Sequence, residues 1–279
     1  MLPLPQPVSS RRLRWFLALP KFGVALLLAA VAALLWLLHQ NELEEERASL
    51  IKDVLWLEQN LRFHLGNNEE QFQQLATDLG NQTDRKQLFR VRAKHLLKNN
   101  PDIAQIVWYD ARRQVIDALP AALPADSELD AFGPPVTHKA FELASRLSKR
   151  IYSEPFLLSG NTGHFALAVP VYNEREMTGM LVVNYSIEGL LNNLVPWWFA
   201  EKYRVVVVDD NDVQFGAKSN IQGVPSLSYE LPFEPPGYGL MFRVTSYQSA
   251  VNPLQRLLAG AILVLAAGIF WSLWVVRDL

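Results

Sequence analysis

The chain contains no cysteine. That excludes disulfides, thiolate zinc sites and cysteine nucleophiles, and it is compatible with an oxidising compartment without proving one. It has no excess of positive charge. With 26 Lys and Arg against 28 Asp and Glu the net charge is −2, which gives no case for nucleic acid as a partner. No repeat at a solenoid period and no low-complexity tract is present. Catalytic patterns are missing as well. The five histidines, His39, His64, His95, His138 and His164, form no H-E-x-x-H or comparable metal spacing. His39 sits beside an apolar run, and His64 and His95 have charged neighbours on helices, so all three read as solvated or interfacial. There is no G-x-S-x-G. Gly216-Ala-Lys-Ser219 is similar to the end of a phosphate loop but lacks the earlier glycine, the glycine directly before the lysine and a following helix. Asp209, Asp210 and Asp212 offer oxygens to a hard cation, yet a hairpin turn explains them better. No catalytic residue, cofactor or metal is therefore expected.

What the chain does have is two long uncharged apolar runs, residues 22–38 and 257–276, bracketing a polar middle. As helices they reach roughly 26 and 30 Å, close to the hydrocarbon thickness of a bilayer. Arg11, Arg12, Arg14 and Lys21 precede the first run and Glu42, Glu44, Glu45 and Glu46 follow it. This asymmetry places the N-terminus inside and the middle outside. A cleaved signal peptide is the competing reading, through Ala30-Val-Ala32, but that match lies in the middle of the run. Trp271 and Trp274 lie near the inner end of the second run, as interface aromatics do. Two crossings return the chain to the cytoplasm just before Leu279, which leads us to expect a longer natural protein. A plain second anchor is the alternative.

The middle begins with a helix. Leu43, Leu50, Val54, Leu57, Leu61 and Leu65 form an apolar stripe, and Gly66-Asn-Asn68 reads as its stop. A second helix is expected over 69–79 and a third, capped by Asp84, to about residue 98. The period then changes. Strands are expected at 103–109 and 114–119, then at 153–158, 164–172 and 179–186. A proline-rich loop spans 120–135, a helix 138–150 and a short helix 187–194. This predicts an α+β domain: a five-stranded antiparallel sheet with its helices on one side. A smaller strand-rich unit follows, with strands at 204–208, 213–216, 226–231 and 240–246.

Asn100-Pro-Asp-Ile-Ala-Gln-Ile-Val-Trp-Tyr-Asp110, Val115-Ile-Asp117, Tyr152-Ser-Glu-Pro155 and residues 164–171 resemble the extracytoplasmic sensor domains of bacterial two-component histidine kinases. These are PAS-like Cache domains, often in tandem, and the likeness is closest to sensor kinases for C4-dicarboxylates. The resemblance implies the following organisation. Residues 1–21 are a cytoplasmic N-terminus and 22–39 a first transmembrane helix. Residues 40–200 form a membrane-distal PAS-like domain with a long N-terminal helix, and 201–255 a smaller second PAS-like unit. Residues 256–276 are a second transmembrane helix and 277–279 the start of a cytoplasmic part. It further implies a two-pass protein of the bacterial inner membrane, a homodimer, and a small anionic metabolite as ligand. A response regulator would be met only through cytoplasmic kinase domains absent from this sequence, and the histidine phosphotransferase chemistry would lie there.

Strand parity sorts the candidate pocket. Along 164–171, Phe165, Leu167, Val169 and Val171 share a bulky face; His164, Ala166 and Ala168 share a small one. Met180, Val182, Asn184 and Ser186 share a face of the next strand. Tyr109, Tyr152 and Tyr172 sit at strand ends, with Arg112, Arg113, Lys139 and Arg150 as cations nearby. The expected ligand contacts are Tyr109, Arg112, Lys139, Arg150, Tyr152, His164, Tyr172 and Asn184, since an organic anion needs clustered cations or donors. The runner-up function is a membrane-anchored periplasmic interaction domain without a small ligand. An extracytoplasmic enzyme is the third.

Overall fold

The computed structural model describes residues 10–120, 135–158, 160–219, 221 and 225–247, with isolated helical positions at 260, 262, 264 and 267–269. In the first helix the side chains are described from Glu44 onward and at scattered earlier positions. The chain divides into two compact units, one comprising Leu50–Tyr247 and the other Met1–Ser49 with Gln248–Leu279. No helix among the described residues is long and apolar enough to cross a membrane. The run expected as a second span, 256–276, falls almost wholly outside the described residues, as does most of the 120–135 loop.

Helix α1, Ser10–Asn81, runs through Gly66 without a break, so the stop expected there is overruled. A glycine inside a helix costs about 1 kcal/mol. Here the core stripe continues past it: Leu57, Leu61, Leu65, Asn68, Phe72, Leu75 and Leu79 are all buried, and that burial outweighs the local cost. The helix stops at its packing limit. A Cβ on Gly80 would lie 1.8 Å from the Tyr172 carbonyl oxygen. Helix α2, Arg85–Asn99, follows, with the Gln87 amide donating to the Asp84 carboxylate. Its buried side is Phe89, Ala93 and Leu96. Val91 of this helix is exposed.

Strands β1 (Ile103–Asp110), β2 (Val115–Leu119), β3 (Ile151–Tyr152), β4 (Phe156–Leu158), β5 (Thr162–Asn173) and β6 (Glu176–Ser186) form one antiparallel sheet. Its order is β2-β1-β6-β5-β3, and β4 also pairs with β5. Helix α3, Pro135–Leu147, connects β2 to β3. The α+β class holds, but the helices do not lie on one side. Phe165, Leu167, Val169, Leu181, Val183 and Tyr185 pack with α1 and α2 in one cluster. Ala166, Ala168, Val107, Met180 and Val182 pack with Ala140, Phe141 and Ala144 of α3 in another. Alanines on both partners let α3 approach the face that the sequence reading left open.

Helices α4 (Ile187–Leu194) and α5 (Trp197–Ala200) lead into a second antiparallel sheet. Its strands are β7 (Tyr203–Val208), β8 (Gln214–Lys218), β9 (Pro225–Pro232) and β10 (Met241–Tyr247), in the order β8-β7-β10-β9. Asp209 closes the β7–β8 turn by accepting from the Asn211 and Val213 amides at 2.9 and 2.8 Å. Those donors hold its carboxyl below the usual carboxylate range, which is the hairpin reading of this acidic stretch. The two sheets share the cluster that contains α1. They meet so closely that a Cβ on Gly163 would sit 2.2 Å from the Phe215 carbonyl oxygen.

Candidate functional site

Alternation and register place three polar side chains on the α3 face of the first sheet. Gln105 of β1 pairs with Asn184 of β6, and Asn184 pairs with Ala166 of β5. His164 lies two residues earlier on β5, opposite Ser186. The Asn184 amide donates to Gln105 Oε1 at 3.4 Å, and Gln105 Nε2 donates to the Pro120 carbonyl at 3.3 Å. Asn184 Oδ1 is buried with no hydrogen-bond partner, and so is His164 Nδ1. His164 is 8 % exposed. Its ring stacks on Phe156 at 6.0 Å, and its Nε2 lies 3.2 Å from Thr162 Oγ1. Burial pushes the imidazole below its ordinary value of 6.5, with the Tyr185 main chain acting the other way. Tyr109, on the same face, meets Phe141 edge-on at 6.0 Å, and burial pushes its phenol up to about 12.

A buried polar atom without a partner is costly, about 1–3 kcal/mol. Two of them stand on one polar floor, beside small residues against which Ala140 and Ala144 of α3 pack. The parity reading of β5 and β6 is met here. His164, Ala166, Ala168, Met180, Val182 and Asn184 do share a face.

The eight expected contacts do not all converge. Tyr109, His164 and Asn184 stand on the α3 face. Arg150 and Tyr152 turn to the opposite face. Arg150 bridges Glu69 and Glu70 of α1 at 2.9 Å each, and the Tyr152 hydroxyl donates to Glu69 at 2.8 Å. The cause is register: Tyr152 pairs with Leu167 and so takes the bulky side. Lys139 of α3 is bound to Glu154. Arg112 is an exposed residue of the β1–β2 turn, whereas its neighbour Arg113 lies over the Phe141 ring at 5.2 Å. The Tyr172 hydroxyl donates to Ser148 Oγ at 2.8 Å. Gln105 was missed. It is an alternating residue of a predicted strand, and only the pairing with Asn184 gives it a place.

The larger omission is on the α1 side. His64, read as solvated or interfacial, has its Nε2 3.0 Å from Oδ2 of Asp102, a fully buried carboxylate. Asn193 of α4 donates to the other oxygen at 3.1 Å. The Asn68 amide lies 3.2 Å from His64 Nε2. A carboxylate only accepts, so Nε2 carries the hydrogen. Asn68 Oδ1 and the Tyr185 hydroxyl are buried without hydrogen-bond partners. Burial and the nearby Asp102 charge push the Tyr185 phenol well up, and the Asn68 side chain acts to lower it. These groups come from helix, loop and strand positions 38 to 121 residues apart in pairs such as His64–Asp102 and His64–Tyr185, and no local pattern joins them. Elsewhere a cavity of about 370 Å³ is lined by Arg62 and residues Glu234, Pro235, Pro236 and Gly237. None of the residues of the polar floor lines it. Among the described residues no cluster of His, Asp or Glu is arranged to hold a metal ion.

No protein-family model matches the chain. Over 246 residues it is 26% identical to the C4-dicarboxylate transport sensor protein DctS of Rhodobacter capsulatus, covering 88% of this chain and 35% of that protein. The chain thus spans about a third of the relative's length. Among solved structures it is similar to the ligand-binding domain of the Pseudomonas aeruginosa PAO1 amino acid chemoreceptor PctB in complex with L-Arg. That match has a TM-score of 0.47 and 12% identity, covering 76% of this chain and 94% of the other. The corresponding domain of the chemoreceptor PctC, in complex with GABA, gives a TM-score of 0.45 and 17% identity, covering 68% and 93%. The resemblance to a Cache-like sensor region, stated from the sequence motifs, holds against a relative that is itself a dicarboxylate sensor protein.

Proposed function

We propose that this chain is the signal-input region of a membrane sensor, and that it binds a small organic anion on the α3 face of its first sheet. The observation that carries the reading is the polar floor of Gln105, His164 and Asn184, with two buried atoms still lacking partners. The name of the curated relative makes a C4-dicarboxylate the first ligand to test. Of the three floor residues only His164 can carry positive charge, so it is assigned one carboxylate end. Tyr109 stays neutral.

In this reading residues 50–247 work in the periplasm of a bacterium. Spans at 22–39 and 256–276 hold the protein in the lipid bilayer of the inner membrane, with the N-terminus inside. Kinase chemistry and a response regulator belong to a cytoplasmic part that this sequence does not include. The 40–200 and 201–255 segments are the two PAS-like units. A ligand shifts such a protein only by its differential affinity for two states. The side chains of α1 that tie helix to sheets are the elements on which that difference can act: Glu69 and Glu70 to Arg150, and Asp53 to Lys202 and Tyr203 at 3.0 and 2.7 Å.

The test is thermal unfolding of the purified 279-residue chain with fumarate, succinate or L-malate. At a hundred times the dissociation constant a ligand adds about 2.7 kcal/mol, a rise of roughly 5–10 °C in Tm for a domain of this size. No rise with any of these acids, nor with amino acids or sugars, would sink the small-molecule reading.

Homodimerisation through α1 is part of the proposal. Trp56 and Phe63, seven residues apart, are 43 and 76 % exposed, and Trp198 meets Trp56 in a tilted contact at 5.5 Å beside a 70 % exposed Trp197. Exposed aromatics at this spacing suit a partner helix. They also favour the interaction-domain alternative. Light scattering is expected to give two copies for the chain and one for Phe63→Glu. A Phe63→Glu protein that stays dimeric would remove this face as the interface.

A further inference from the structure

We propose that the bound anion brings a proton with it onto His164, so that the site responds to acidity and ligand together. This rests on the reading above that an organic anion occupies the α3 face. The geometry leaves little choice of partner there. His164 is held between Phe156, on which it stacks, and Thr162, which engages Nε2. Its Nδ1 is the remaining ring nitrogen, buried and without a hydrogen-bond partner. A carboxylate reaching Nδ1 meets either a neutral N–H or an imidazolium. The charge-assisted bond is about twice as strong, and an opposite charge within about 4–6 Å favours the protonated ring.

The empty site disfavours that proton. Burial keeps the imidazole neutral at and above its ordinary 6.5. The ionisable groups on the surrounding elements do not take over the task. On α3, Lys139 is paired with Glu154 of the β3–β4 link and Arg146 with Glu142; His138 is also on this helix. On β1, Tyr109 is neutral and the Asp110 carboxylate accepts from the Arg112 and Gln114 amides. On β8, the Lys218 ammonium donates to the carbonyls of Leu191, Asn192 and Val195. Strand β4 carries no ionisable side chain, β6 carries Glu176 at its far end and Tyr185 on the opposite face, and α4 carries an exposed Glu188. Among the described residues none of these side chains is hydrogen-bonded to His164; from Tyr185 it is the main chain that acts on the ring.

The sign follows from linkage. The complex holds a proton that the empty protein does not, so the affinity rises as pH falls. The rise begins at the raised value of the complex and levels off below the depressed value of the empty site. Within that window the dissociation constant drops by up to about tenfold per pH unit.

The experiment is calorimetric titration of fumarate, which stays fully ionised in this range, into the 279-residue chain near neutral pH. It is run in phosphate and in Tris, whose ionisation heats differ widely. Uptake of close to one proton is expected, together with tighter binding as pH falls by one unit. His164→Gln keeps a hydrogen-bonding side chain but no titratable ring; it should bind fumarate more weakly, and the binding that remains should show no buffer dependence. Heats identical in both buffers for the parent chain would overturn the proton uptake while leaving the anion site standing. Uptake that persists in His164→Gln would move it to another residue and overturn this assignment. Absence of binding by fumarate, succinate and L-malate alike would overturn the anion reading and this inference with it.

Discussion

Asp102→Ala is expected to lower the stability of the 50–247 unit by about 3–5 kcal/mol, since two donors lose their buried acceptor at about 1–3 kcal/mol each. The Asp102 carboxylate is fully buried. It accepts from His64 of α1 and Asn193 of α4, while its backbone carbonyl accepts from the Ser186 amide at 2.8 Å. Alanine keeps the backbone bond and strips the other two. His64 and Asn193 are then left facing a cavity. With roughly 2–4 °C per kcal/mol for a domain of this size, the melting temperature falls by about 10 °C. Asp102→Asn keeps the shape and one acceptor, and should lose only about 1–3 kcal/mol. Urea unfolding of both variants at neutral pH checks the pair. A loss below 1 kcal/mol for alanine would mean that the network is ornamental.

Phe165→Ala carries a similar cost, about 3–5 kcal/mol, by the cavity it leaves. What distinguishes it is reach. Phe165 stacks on Tyr185 at 5.0 Å, meets Tyr152 at 5.9 Å, and stands edge-on to Phe233 at 6.0 Å. Phe233 in turn packs on Phe242 of the second sheet at 4.3 Å. One side chain therefore joins the bulky face of the first sheet to the core of the second. Hydrogen exchange should show amides of β5, β6, β7 and β10 losing protection together. Loss confined to β5 and β6 would show that the sheets are energetically separate.

Much of this fold is legible in the chain, and the gaps have a common cause. Alternation along residues 164–171 and 179–186 sorts the side chains of β5 and β6 onto their faces, because period two is a local property. The Asp209 turn and helix α4 follow from local chemistry in the same way. Gly66 misleads because a helix stop is a weak local preference, overridden by Phe72 and Leu79 in the core. Arg150 and Tyr152 mislead because β3 is two residues long, too short for parity to declare a side. Only pairing with Leu167 decides it. His64 and Asp102 stand 38 positions apart, and their bond depends on how α1 lies along the sheet. Of the candidate site, His164, Asn184 and Tyr109 could be found from strand patterns. Gln105 and the role of α3 needed the sheet order.

The central claim is that the polar floor under α3 receives an organic anion, and Asn184→Asp tests it most directly. The change is nearly isosteric, and it sets a carboxylate beside the site assigned to the ligand. Calorimetric titration of fumarate, succinate and L-malate into the parent chain and this variant is the measurement. The account predicts binding to the parent by at least one acid and a loss of at least about tenfold in the variant, since like charges repel at close range in a buried site. Equal affinity in both proteins would contradict it.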